Sequence, residues 1–270
     1  MLHLLRRNPL IVVGALVVIG WILAAVLAPL ISPYPPLAQN VSARLQPPGV
    51  YTWGTDELGR DIYSRVLYGG RITIPAGVLV IVIGSLIGTI VGAVAGYVGG
   101  IWDEIIMRVT ELFMAFPTII LAMAITAALG SDIRNAVIAL VIVWWPSYAR
   151  LVRGLVLKVK DVEYVEAARA VGASRSYILW RTIMPNCLAP TLVLTTLDIG
   201  NAILTFAGLS FLGLGADPTS PEWGRMIAVG IDYFDQWWTW LFPGMAMATL
   251  VIASNLIGDS LRDIFDPRMR

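Results

Sequence analysis

Long uncharged blocks alternate with short charged segments along this chain. Leu10 to Ile31 is uncharged and follows Arg6 and Arg7; later apolar blocks lie at Ile74–Val98, Leu112–Leu129, Ala136–Leu157, Leu188–Leu214 and Trp237–Ile257. Each approaches the roughly 20 residues that an α-helix needs to cross about 30 Å of hydrocarbon. The pattern predicts an all-α polytopic membrane protein with six transmembrane helices. The first block is longer than a signal-peptide core, and its cleavage-like Val26-Leu27-Ala28 triplet is followed by Pro29, so it reads as a retained span.

Charge sets the expected orientation. Of the 19 Lys and Arg residues, thirteen fall on the side of both termini, with Arg108, the segment Arg150 to Arg181 and the tail Arg262 to Arg270. Six fall on the other side, an asymmetry that predicts an N-in/C-in topology. The external loop after the first span carries Arg44, Arg60, Arg65 and Arg71, three of them offset by Asp56, Glu57 and Asp61. Its proline-rich first half reads as extended, and Glu57 to Leu67 as a short surface helix started by Thr55 or Asp56. Residues 1–73 thus form an N-terminal span with an external proline-rich loop, and 74–270 a five-span core containing a cytoplasmic hairpin at 158–186.

Composition sharpens the class. The chain is 57% hydrophobic and 14% charged with a mean hydropathy of +0.76, which excludes a water-facing globule. A net charge of +1 gives no field to recruit nucleic acid. A single cysteine, Cys187, and a single histidine, His3, exclude an internal disulfide, a multi-thiolate site and paired-histidine metal motifs. Neither lysine, Lys158 or Lys160, follows a glycine, so no GxxxxGK phosphate loop exists and any ATP must be bound by another chain. No nucleophile–base pair falls within the spans, which argues against a membrane-embedded enzyme.

The segment Asp161 to Asn186, between spans four and five, reads as a helical hairpin. Asp161 is placed to cap its first helix, Gly172 to end it in the left-handed region, Ser174 to cap the second helix and Pro185 to stop it. Ala167 and Ala168 are small enough for close docking in a partner's groove, beside Glu166 and Arg169 as charged handles.

Within the spans, Asp198 and Asn201 stand one turn apart, where a carboxylate is costly unless it faces a cavity or a partner. They line a pathway or form an interhelical clamp; the sequence leaves both open. Gly84, Gly88, Gly92 and Gly96 give one helix a bare face for close packing. Trp144-Trp145, Trp237-Trp238-Trp240, Tyr148, Arg150 and Arg153 read as headgroup anchors, and Asp217 to Asp235 as a solvated external loop.

Glu166-Ala167-Ala168, Gly172 and Ile183-Met184-Pro185 together resemble the EAA loop of inner-membrane permeases of ATP-binding-cassette importers. Further matches are Gly54-Thr55-Asp56, Gly59-Arg60-Asp61, Leu209-Ser210-Phe211-Leu212-Gly213, Trp223-Gly224, Asn255-Leu256-Ile257-Gly258-Asp259 and Asp266-Pro267. The whole resembles the C-type subunit of the dipeptide/oligopeptide/nickel permease group, departing where Met184 replaces the commoner leucine and Phe206 stands where many relatives carry an acidic residue.

This resemblance implies a non-catalytic subunit of the bacterial inner membrane that pairs with a second homologous permease. Two cytoplasmic ATPases, which bind ATP and Mg, would dock on it, and an external binding protein would deliver solute. Glu166, Ala167, Ala168, Arg169 and Gly172 would couple the ATPases to the spans, with peptide the expected cargo and nickel, glutathione or an opine as alternatives. The rival is a secondary transporter driven by an ion gradient, with Asp198 as its ion site; the two halves show no convincing internal repeat.

Overall fold

A computed structural model describes residues 9–265. Arg6, Arg7, His3, Arg268 and Arg270, with the Asp266-Pro267 match, lie outside the described residues. The chain forms α1 (Pro9–Ile31), α2 (Ile62–Val98), α3 (Gly100–Met114), α4 (Thr118–Leu129), α5 (Ile133–Val159), α6 (Glu163–Ala170), α7 (Arg175–Tyr177), α8 (Met184–Phe211), α9 (Trp223–Ile231) and α10 (Trp238–Phe265). Among the described residues five helical stretches are long and apolar enough to span a membrane, one of them running unbroken from Arg175 to Phe211. The pair α3 and α4 makes a sixth if counted as one span.

That third span is not the continuous helix expected over Leu112–Leu129. Helices α3 and α4 meet at 90° across Ala115, Phe116 and Pro117. Pro117 supplies no backbone N–H and disfavours helical geometry at Phe116, so the helix breaks there. Helix α4, at about 18 Å, is too short to cross alone.

Two other boundaries depart from expectation. The helix expected over Glu57 to Leu67 starts only at Ile62, is buried rather than superficial, and runs on to Val98. The Asp56 carboxylate is committed to the preceding turn, accepting from the N–H groups of Leu58 and Arg60 at 2.9 Å, and Asp61 is the cap, accepting from the Ser64 N–H at 2.8 Å. Pro185 does not stop the second hairpin helix. A π-helical turn over Ile178–Ile183 accommodates the missing N–H, and α8 continues through the proline.

Helices α2 and α5 form the most extensive helix pair. The glycine stripe makes this possible, because a Cβ at Gly88 or Gly92 would collide with the backbone carbonyl oxygens of Trp145 and Ala149. Three apolar clusters follow the bundle axis. Ile62, Val66, Trp223, Trp238 and Leu250 pack at one end; Val80, Ile81, Leu140, Ala202 and Phe206 in the middle; Val152, Val156, Val165, Ile178 and Ile183 at the other.

Residues 32–61 form a strap across the first of these ends. Arg60 Nε meets Asp56 at 2.6 Å and its Nη2 meets Glu57 at 2.7 Å. Arg65 reaches Asp56 at 3.4 Å and donates to the carbonyls of Pro36, Thr219 and Ser220. Both guanidinium groups are buried, so they hold the strap, the start of α2 and the segment before α9 as one unit. Trp238, expected at a headgroup, is buried and donates to the Thr55 carbonyl at 3.1 Å.

Glu222, expected on a solvated loop, is fully buried. Its carboxylate caps α9 through the N–H groups of Gly224 and Arg225 and accepts from the Thr73 hydroxyl. Burial pushes this carboxyl above its ordinary pKa, against the opposing pull of its hydrogen bonds.

Candidate functional site

The hairpin stands at the opposite end from the strap. Helix α6 begins after Val162, whose side chain makes no cap; Asp161 does not cap it as expected. The boundaries predicted at Gly172 and Ser174 hold. Gly172 has φ +83°, and Ser174 accepts from the Tyr177 N–H.

Val165 is the only fully buried residue of α6. It packs with Ile178, Leu179 and Ile183 against Ala93 of α2 and Val152 and Val156 of α5, with Ala168 partly buried beside them. The hairpin is therefore seated on the ends of three long helices. Glu166, Ala167 and Gly172 remain exposed on its outer face, and the side chains of Tyr164 and Val171 are exposed with them. Arg169 is also exposed but turns back across the hairpin base, donating to the Lys160 carbonyl at 3.0 Å. Ala168 thus faces the chain's own core, while Ala167 faces outward.

The second constellation lies midway along the bundle. Asp198 Oδ2 accepts from the Tyr148 hydroxyl at 2.9 Å and the Trp144 indole at 3.3 Å, and Oδ1 accepts from the Asn201 amide at 3.4 Å. Tyr148 and Trp144 are not headgroup anchors. Both lie near the middle of α5, where the close approach to α2 buries Tyr148 completely and turns Trp144 toward Asp198. The sequence signal for this was available: Trp144 and Tyr148 are four residues apart and share a helix face.

Asp198 and Trp144 line a cavity of about 460 Å³ with Thr118, Ile119, Val143, Ser147 and Thr205. Thr118 and Ile119 enter it only because the third span breaks immediately before them. Asn201 is exposed and touches Asp198 without lining the cavity.

Near the hairpin end, Arg153 is likewise no headgroup anchor. It pairs with Asp103 of α3 through two contacts of 2.7 Å, fixing the first half of the broken span to α5. Among the described residues no cluster of His, Cys, Asp or Glu is arranged to hold a metal ion.

Residues 84–270 match the family described as binding-protein-dependent transport system inner membrane component, and residues 1–48 match the N-terminal TM domain of oligopeptide transport permease C. The chain is 43% identical to the probable D,D-dipeptide transport system permease protein DdpC of Escherichia coli K12, over 98% of this chain and 90% of that protein. It is 42% identical to the dipeptide transport system permease protein DppC of Alkalihalophilus pseudofirmus, over 98% and 88%. Among solved structures, an amino acid ABC transporter crystallised with histidines aligns with a TM-score of 0.53 at 17% identity, covering 76% of this chain and 94% of that one. At that identity the match speaks for the fold alone.

Proposed function

This chain belongs to the family of binding-protein-dependent transport system inner membrane components, a multi-pass, non-catalytic permease subunit of the bacterial inner membrane, and from that premise we propose that it forms half of the translocation pathway of an ATP-driven peptide importer. A second, homologous permease supplies the other half, two ATPases dock on the hairpin from the cytoplasm, and an external binding protein delivers peptide at the strap end. Both termini face the cytoplasm. The names of the relatives from Escherichia coli and Alkalihalophilus pseudofirmus support the choice of cargo.

The observation that carries this reading is the hairpin: an eight-residue helix with an exposed outer face, locked by one buried residue onto the ends of α2, α5 and α8. Closure of an ATPase pair around Glu166, Ala167 and the turn at Gly172 pushes on that face, and the packed cluster passes the displacement to the spans. Arg169 stiffens the lever from within. Asp198 and Asn201 stand in the pathway, where movement of α5 against α8 opens or closes the cavity.

Purification of the tagged chain with its coexpressed partners tests this. Glu166→Arg should reduce ATPase retention by more than about tenfold while leaving the second permease bound. Full retention of the ATPases by that variant, and by Ala167→Trp, would overturn the assignment of the hairpin.

A further inference from the structure

Asp198 presents an unusual combination for a carboxylate at mid-span. Three neutral donors hold it, from Trp144, Tyr148 and Asn201, yet among the described residues no Lys or Arg forms an ion pair with it. A carboxylate has about four lone-pair directions, so three hydrogen bonds leave one free, and neutral donors do not replace a counter-charge. Elsewhere Asp56 pairs with Arg60 and Arg65 and Asp103 with Arg153, while the buried Asp61 and Glu222 are held as helix caps by backbone N–H groups and hydroxyls. Asp198 instead opens on a cavity of about 460 Å³, a volume within the range that holds a small organic molecule.

The rest of the cavity wall fits the same occupant. Ser147, Thr118 and Thr205 offer hydroxyl groups, Val143 and Ile119 apolar surface, and Trp144 lines the wall while its indole N–H holds the carboxylate in place. The group that every unmodified peptide carries and that supplies a positive charge is its protonated amino terminus. We propose that Asp198 and Trp144 form a transient subsite for the peptide's α-ammonium group, occupied while the peptide crosses. This rests on the peptide-importer reading and adds to it the chemistry that the pathway recognises. The Tyr148 and Asn201 donors orient the carboxylate, and the missing counter-charge arrives with each peptide and leaves with it.

The test uses the complete transporter in proteoliposomes, with saturating peptide-loaded binding protein, so that selection by that protein is not limiting. Asp198→Asn removes the charge and keeps one oxygen to accept from Tyr148 and Trp144, while its new amide NH2 faces Asn201, whose own amide can turn to present its oxygen. It should lower peptide turnover by about tenfold, leave binding-protein-stimulated ATP hydrolysis within about twofold, and be largely rescued by Asp198→Glu. Tyr148→Phe removes one orienting donor but keeps the charge, so it should lower transport per ATP less than Asp198→Asn does; an equal or larger loss would overturn the assignment of the effect to the charge.

A second arm places Asp198→Cys in a Cys187→Ala background and follows modification by thiosulfonates bearing an ammonium or a sulfonate, with and without the dipeptide Ala-Ala delivered during turnover. Modification that is slowed by turnover supports the subsite. A cysteine that neither reagent reaches in any nucleotide state overturns the pathway reading itself. A reachable cysteine combined with wild-type turnover in Asp198→Asn leaves the pathway reading standing and overturns the ammonium subsite.

Discussion

At the strap end, Arg60 and Arg65 are 2% exposed and tie three separate segments together through carboxylates and backbone carbonyls. At the hairpin end, α6 buries a single valine, and its only side-chain hydrogen bond to another segment is the one from Arg169 to Lys160. One end is held by directional contacts that must all be satisfied together; the other by a small apolar cluster under a solvent-exposed face. Directional, buried contacts fix a shape, whereas an apolar seat tolerates small sliding of the packed helices. In the importer proposed above that division would let the receiving end keep its geometry while the driven end is pushed.

Substitutions can break this contrast, and the largest effect belongs to the strap. Arg60→Met leaves the buried Asp56 with only its longer contact to Arg65 and takes the cation from the half-buried Glu57, and should cost about 3 kcal/mol, read as a drop in Tm of the purified complex. A loss below about 1 kcal/mol would mean that the strap is not latched by charge.

Glu222→Ala comes next, at about 1–3 kcal/mol, because the N–H groups of Gly224 and Arg225 and the Thr73 hydroxyl lose their acceptor. The pH dependence of this site has a definite sign. The folded state binds the Glu222 proton more tightly than the unfolded chain does, so the contribution is most favourable at low pH and declines as pH rises above the ordinary carboxyl range. Tm measured across that range should fall less steeply for Glu222→Gln than for the parent chain.

At the hairpin, Gly172→Ala should cost about 1–2 kcal/mol, the strain of a Cβ at φ +83°, and confine the change to that turn by hydrogen exchange. Smallest of all is Glu166→Arg, within about 0.5 kcal/mol because the side chain touches solvent. The same substitution is expected to reduce ATPase retention by more than about tenfold. Stability and function therefore rank the two ends in opposite order.

What the sequence made legible follows the same division. Gly172 and Ser174 were readable because a left-handed turn and a hydroxyl N-cap depend on the residue's own chemistry and its immediate neighbours. The glycine stripe was readable because its four-residue spacing defines one helix face whatever packs there. Pro185 and Asp56 mislead for a shared reason: each carries a local preference that its surroundings override, whereas at Asp161 the helix starts one residue later, with Val162 in the cap position. The π-turn absorbed the proline, and Asp56 committed its carboxylate to a tight turn instead of a helix start.

Trp144, Tyr148, Trp238 and Glu222 were placed at membrane surfaces or in solvent because aromatic and acidic residues prefer those environments on average. Their actual positions are set by partners more than forty residues away, Asp198 for the first two, Thr55 and Thr73 for the others. No local pattern encodes those pairings. Asp198 itself is legible as a costly carboxylate, but the cavity beside it is not, since part of its wall, Thr118 and Ile119, comes from the half-span that follows the break at Pro117.

In the proposed importer this chain has no engine of its own and moves only when the hairpin is driven. Uptake against a gradient, measured in sealed proteoliposomes containing this chain and its permease partner with the ATPases either present or omitted, tests it most directly. Accumulation of peptide only when the ATPases and internal-face ATP are supplied, and its loss in Glu166→Arg, is the predicted result. Concentrative uptake by the two permeases alone, driven by an imposed proton or sodium gradient, would contradict it.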